Sequence, residues 1–192
     1  MPVTSIILTV KEIVKFNTVC VYCASSTQCD PFYFEETRIL GRELAGAGLT
    51  VFYGGGAVGL MGCLADSALA EGGKVIGVLP NFMKEVEWGH KGLTALHLVG
   101  DMHERKNRMI QEADAFVALP GGCGTLEELL EAITWKRLGL HTKPIVLVNL
   151  KGYYDPLIAM LERCIAEKFM RPQHGAMWSV VNSAREVAAN CA

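Results

Sequence analysis

Short runs of β-branched and apolar residues recur along this chain, each followed by a segment long enough for a helix, and that alternation leaves few folds open. Strands are expected at residues 18–23, 49–53, 75–79, 96–99, 115–119 and 145–148, with a weaker one at 179–181. Helices are expected at 31–47, 59–72, 101–113, 125–138 and 154–169, lengths that suit right-handed crossovers between parallel strands. The predicted architecture is α/β, a doubly wound and mainly parallel sheet with helices on both faces. At 192 residues the chain fits a single domain. No linker, repeat or low-complexity tract divides it. Residues 1–16 stand outside the pattern as an N-terminal extension of unassigned role, so the domain is placed at 17–192.

Composition narrows the class of partner. With 51% hydrophobic and 20% charged residues the chain is globular rather than disordered. Eighteen Lys and Arg against twenty Asp and Glu give a net charge of −2, which argues against duplex nucleic acid or an anionic membrane as partner. Seven cysteines without tandem spacing do not read as a secreted disulfide framework, so a cytoplasmic home is expected. Cys20 and Cys23 form a C-x-x-C, but an odd separation within a strand sends the two thiols to opposite faces, and no metal is expected. Ile6-Ile7-Leu8 has no basic flank or cleavage site of a signal peptide, and no apolar run approaches the ~18 residues of a membrane span.

In a doubly wound sheet ligands bind beyond the carboxyl ends of the strands, so the residues there carry the most information. They read Ala24-Ser25-Ser26, then Gly54-Gly55-Gly56-Ala57-Val58-Gly59, then Pro120-Gly121-Gly122-Cys123-Gly124-Thr125. Gly54, Gly56 and Gly59 satisfy G-x-G-x-x-G, yet the motif follows the second strand rather than the first and lacks the acidic residue about twenty positions on, so a dinucleotide is not expected. Gly73-Lys74 followed by Val75 is not a P-loop. Two readings remain for the glycines: tight strand-to-helix turns, or free amides at helix starts facing an anion. On the second, Ser26, Gly55, Gly56, Gly122, Gly124 and Thr125 are the phosphate-binding candidates.

Thr125-x-x-Glu128 fits a capping box, which would explain Glu128 as helix-start chemistry, but a cap does not require the glycines before it. A carboxylate at a helix start is also kept ionised, as a base or cation stabiliser must be. Arg105 and Arg108 follow Asp101 on adjoining turns, with Met102 and Ile110 turned inward, and an arginine at this rim could fork onto phosphate or sugar oxygens. His103 reads as a surface or packing residue.

The segments Gly54–Gly62, Met102-His103-Glu104-Arg105-Lys106 and Pro120-Gly121-Gly122-Cys123-Gly124-Thr125-Leu126-Glu127-Glu128 resemble the LOG family, the cytokinin riboside 5′-monophosphate phosphoribohydrolases, long labelled possible lysine decarboxylases. The resemblance runs from about Thr18 to the C-terminus. It implies a single Rossmann-like domain, a homodimer, and cleavage of the N-glycosidic bond of a purine nucleoside 5′-monophosphate, carrying adenine or an N6-substituted adenine, to free base and ribose 5-phosphate. By the same resemblance Arg105 and Glu128 are the catalytic pair, and Glu87, Lys106, Gly122, Cys123, Gly124, Thr125, Leu126, Glu127 and Thr134 contact substrate. No cofactor is implied. Cys123 replaces an aromatic common in the family and Ala24 a glycine, departures that bear on substrate preference.

Breaking a ribosyl C1′–N bond creates oxocarbenium character, which an ionised Glu128 would stabilise while activating water. The 5′-phosphate would sit on residues 122–125, and Arg105 would orient the nucleotide. Trp135 and the α-helical face of Glu127, Glu131 and Thr134 point to a buried, dimeric surface. A second reading is open: molybdenum-cofactor carrier proteins share this fold and P-G-G loop and bind a phosphorylated pterin without turnover.

Overall fold

In the computed structural model, which describes residues 16–84 and 89–191, one sheet runs through the molecule. Its strands are β1 (Thr18–Tyr22), β2 (Thr50–Tyr53), β3 (Val75–Pro80), β4 (Ala95–Val99), β5 (Ala115–Ala118), β6 (Ile145–Val148) and β7 (Ser179–Val181). They lie in the order β4-β3-β2-β1-β5-β6-β7, with every neighbouring pair parallel. The helices are α1 (Pro31–Gly46), α2 (Gly59–Ala70), α3 (Met102–Glu112), α4 (Cys123–Arg137), α5 (Asp155–Ala166) and a short α6 (Val187–Asn190).

The period-two pattern of the strands divides the core in two. Val19 and Val21 of β1 join Leu40 and Leu44 of α1 and Leu64 and Ala68 of α2 on one face. Cys20 and Tyr22 join Met109 and Ile110 of α3, Leu129 and Ile133 of α4, and Leu161 of α5 on the other. Cys20 and Cys23 fall in different halves of the core, as the odd spacing predicts. All seven cysteines are free. Asp30 caps α1 by accepting the Phe32 amide at 2.8 Å, with Pro31 as the first helical residue.

After β1 the chain builds β2, β3 and β4 to one side, then crosses to place β5 on the other. Loops from β1 and β5 therefore diverge at this switch point, leaving a crevice between them. Glu87, a predicted substrate contact, lies outside the described residues, as do residues 1–15 of the extension.

Candidate active site

A cleft of about 410 Å³ occupies the switch point. It is lined by residues 24–26 after β1, Gly54 after β2, Met83, Met102 and Arg105, and Gly122, Cys123, Gly124, Thr125, Glu127 and Glu128 at the start of α4. Two of its glycines have separate steric reasons. A Cβ on Gly54 would collide with the Arg105 guanidinium, so that position must be bare for the arginine to reach the cleft. Gly59 opens α2 at φ +63° directly beneath the Ser25 carbonyl, where a side chain has neither the conformation nor the room. A Cβ on Gly122 or Gly124 would meet nothing within 4 Å, so packing does not account for them.

Gly122 is the N-cap of α4, and no side chain caps that end. The helix starts two residues earlier than the sequence suggests, where Thr125 with Glu128 three residues on resembles a cap. Thr125 is the third residue of the helix, nearly buried against Gly121, and the predicted capping box does not form. The first-turn amides of Cys123, Gly124 and Thr125 thus carry the positive end of an uncapped helix at the cleft wall.

Arg105 reaches the cleft because Asp101 caps α3, accepting the Glu104 amide at 2.8 Å, while Met109 and Ile110 anchor its inner face. Arg105 is only 6% exposed. Its Nη2 stands 3.7 Å from Glu128 Oε1, an ion pair beyond hydrogen-bond length. Nη1 faces the sulfurs of Met83 and Met102 at 3.6 and 3.8 Å, and the buried Nε has no hydrogen-bond partner among the described residues. A buried guanidinium ordinarily fills its fork with a carboxylate or phosphate. This one has soft sulfurs and a carboxylate at arm's length, a donor set suited to an oxygen-rich ligand. The Cys23 thiol also lines the cleft, but burial, reinforced by Glu128, pushes its pKa far up and keeps it protonated. Among the described residues no three His, Cys, Asp or Glu side chains gather as a metal ion would need.

Residues 61–191 match the family model described as "Possible lysine decarboxylase". A cytokinin riboside 5′-monophosphate phosphoribohydrolase of Rhodococcoides fascians is 44% identical over 173 residues, covering 90% of this chain and 86% of that protein. A probable one of Oryza sativa subsp. japonica is 45% identical over 82% of this chain and 70% of its own. The chain belongs to the LOG family. Its fold is also that of the molybdenum cofactor carrier protein of Chlamydomonas reinhardtii, with a TM-score of 0.67 over 92% of this chain and 94% of that one at 21% identity.

Within this LOG scaffold the predicted residues separate into three groups. Ser26, Arg105, Gly122, Cys123, Gly124, Thr125, Glu127 and Glu128 line the cleft together. Gly55 and Gly56 do not: Gly55 packs against β3 and β4, its carbonyl accepting the His90 amide at 3.0 Å, and Gly56 bridges to Gly89. The sheet edge uses these two glycines where the sequence suggests a phosphate. Lys106 is likewise occupied outside the cleft lining, straddling Glu127 at 2.5 Å and Glu131 at 3.2 Å, and the hydrogen bond to Glu127 raises its pKa. It ties α3 to α4. Leu126 and Thr134 line a neighbouring groove with Leu130 and Trp135, joined to the cleft at Cys123 and Glu127. A groove of about 510 Å³ between α1 and α2 is roomier, but its Arg38 and Arg42 share it with Asp66 and Glu71, and no buried charge faces it.

Cys23, Ser25, Gly54, Met61, Met83 and Met102 also line the cleft, and the sequence assigns none of them a contact. Gly54 sits inside a quoted motif, so its role was readable as a close approach. Met83 arrives from a 3-10 turn after β3, and nothing in its local sequence announces the arginine twenty-two residues away.

Proposed function

We propose that this chain hydrolyses the N-glycosidic bond of purine nucleoside 5′-monophosphates carrying adenine or an N6-substituted adenine, yielding the free base and ribose 5-phosphate. The observation that carries the reading is the buried Arg105 held at 3.7 Å from Glu128 beside the uncapped start of α4. Relatives named as phosphoribohydrolases at 44–45% identity support it.

The 5′-phosphate binds the first-turn amides of α4, with the Thr125 and Ser26 hydroxyls at hand. That remote binding energy positions C1′ over Glu128. As the C1′–N bond breaks, the Glu128 carboxylate faces the developing oxocarbenium charge and takes a proton from the attacking water. The water oxygen becomes the C1′ hydroxyl, and the bonding electron pair leaves with the base, which acquires a proton. Arg105 orients the nucleotide through its open fork. Residues 17–192 act as one catalytic domain of a cytoplasmic homodimer. Leu130 of α4, which lines the Trp135 groove, and Leu138 and Leu140 just past the helix support the dimer, being 39%, 60% and 64% exposed. No helix among the described residues is long and apolar enough to cross a membrane.

Incubation with AMP tests the reading. Free adenine and ribose 5-phosphate should appear in equal amounts, whereas tight AMP binding without release would favour the carrier-like alternative.

A further inference from the structure

The segment leaving β6 is built against its own backbone preference. Lys151 holds φ at 53°, in the left-handed region that side-chain-bearing residues avoid. Its ammonium pairs with Asp30 at 2.8 Å and lies 4.5 Å from the centre of the Phe32 ring. Asn149 fixes the next turn, accepting the Tyr154 amide and donating to Asp155, both at 2.7 Å. The product of this construction is a pair of phenols presented to the P-G-G turn. Tyr153 Oη donates to the Gly121 carbonyl at 2.5 Å, and Tyr154 Oη donates to the Leu119 carbonyl at 2.7 Å. Edge-on packing of Tyr153 against Tyr33 and Tyr154 holds the outer ring.

The two hydroxyls have different consequences. The peptide after Leu119 ends at Pro120 and carries no N–H, so Tyr154 can only brace the chain. The peptide after Gly121 is trans and ends at Gly122, whose N–H therefore points opposite to the Gly121 carbonyl. Gly122 lines the cleft and Tyr153 does not. Pulling the carbonyl toward Tyr153 turns the amide away from it, to the cleft side. Without that hold, a peptide between two glycines flips at little cost, because neither residue has a Cβ to forbid the other orientation.

We propose that Tyr153 is a positioning residue for the anion site: its hydroxyl sets the Gly121–Gly122 peptide so that the Gly122 amide donates to the substrate phosphate. The inference rests on the reading above that the phosphate lies on residues 122–125, and it adds the group that presets one donor. Hydrogen bonds to charged groups are the strong ones, so one misdirected amide should cost about tenfold in affinity.

The test compares Tyr153→Phe, which keeps the ring and loses only the hydroxyl, with Tyr154→Phe. Calorimetric titration with ribose 5-phosphate and with adenine is run on both variants and wild type, alongside AMP turnover and thermal unfolding. Tyr153→Phe should weaken ribose 5-phosphate about tenfold, leave adenine unchanged and lower kcat/KM for AMP by a similar factor. Tyr154→Phe should lower the melting temperature while leaving the ratio of the two affinities at its wild-type value. Wild-type affinity for ribose 5-phosphate in Tyr153→Phe overturns the proposal. So does an equal loss of both ligands, or an equal loss in both variants, since either would mean general loosening. The failures separate cleanly. Wild type that binds ribose 5-phosphate, with Tyr153→Phe weakened, but releases no adenine from AMP sinks the hydrolase reading and leaves Tyr153 its role. Wild type that turns over AMP, with Tyr153→Phe indistinguishable from it, sinks the role alone.

Discussion

Replacing Gly54 by alanine should disable the site while leaving the fold standing. Gly54 does not adopt a left-handed backbone, so alanine meets no conformational penalty there, and the effect must come from the added methyl. That methyl would lie inside the van der Waals envelope of Arg105 Nη2 and 3.3 Å from the Met61 sulfur. The arginine tip is the more mobile neighbour, and it must retreat by about 1 Å to reach ordinary contact. Overpacking of this kind costs about 1–3 kcal/mol, and a yielding side chain keeps it near the lower bound. For a chain of this size that is a fall of roughly 2–4 °C in Tm. The same displacement at a reacting centre costs on the order of 10²-fold in rate. Adenine release from AMP, followed with thermal unfolding on the same preparation, should therefore show a small loss of Tm and a large loss of kcat. Wild-type turnover in Gly54→Ala would refute the coupling between this glycine and the arginine, and with it the claim that Arg105 must stand where it does.

Glu128→Gln keeps the side-chain shape and loses the charge; turnover should fall about 10²–10⁴-fold with the melting curve little changed, and near-normal release of base would reduce Glu128 to a structural residue. Burial, then the charges of Lys143 and Lys136, lowers the pKa of His141, whose Nε2 donates to the Ala132 carbonyl at 2.9 Å. The unfolded chain binds a proton there that the fold resists, so stability should decline as pH falls below about 6.5. His141→Gln should show a smaller Tm loss between pH 7.5 and 5.5 than wild type, and an equal loss would remove His141 as a cause. Light scattering at micromolar concentration should report a dimer, and Leu138→Glu at the exposed end of α4 should shift it toward monomer; a monomeric wild type would discard that interface.

Sequence periodicity reveals the sheet because parallel strands buried on both faces read as short apolar runs, and β1, β2, β5 and β6 lie within a residue or two of their expected places. Their carboxyl ends then locate the site. What periodicity cannot rank is competing uses of one residue type. Gly54 clears space for an arginine, Gly55 packs on the next strand and Gly122 opens a helix, yet all three look alike as letters. Lys106 is a substrate contact only by family resemblance, and nothing local in the sequence shows that α4 brings Glu127 and Glu131 to pair with it. Tyr153 and Tyr154 meet carbonyls 32 and 35 residues away, so no local pattern signals them. Thr125 looks like the start of α4 because a capping signature is local, whereas the helix begins at Cys123 with Gly122 as its N-cap.

On the proposed function the phosphate, held on the start of α4, positions C1′ against Glu128. The most direct test is base release from AMP and adenosine side by side, with kcat and KM resolved for each. AMP should react, and adenosine, lacking the anchor, should suffer a lower kcat as well as a higher KM. Comparable kcat/KM for the two would contradict the phosphate assignment and the function built upon it.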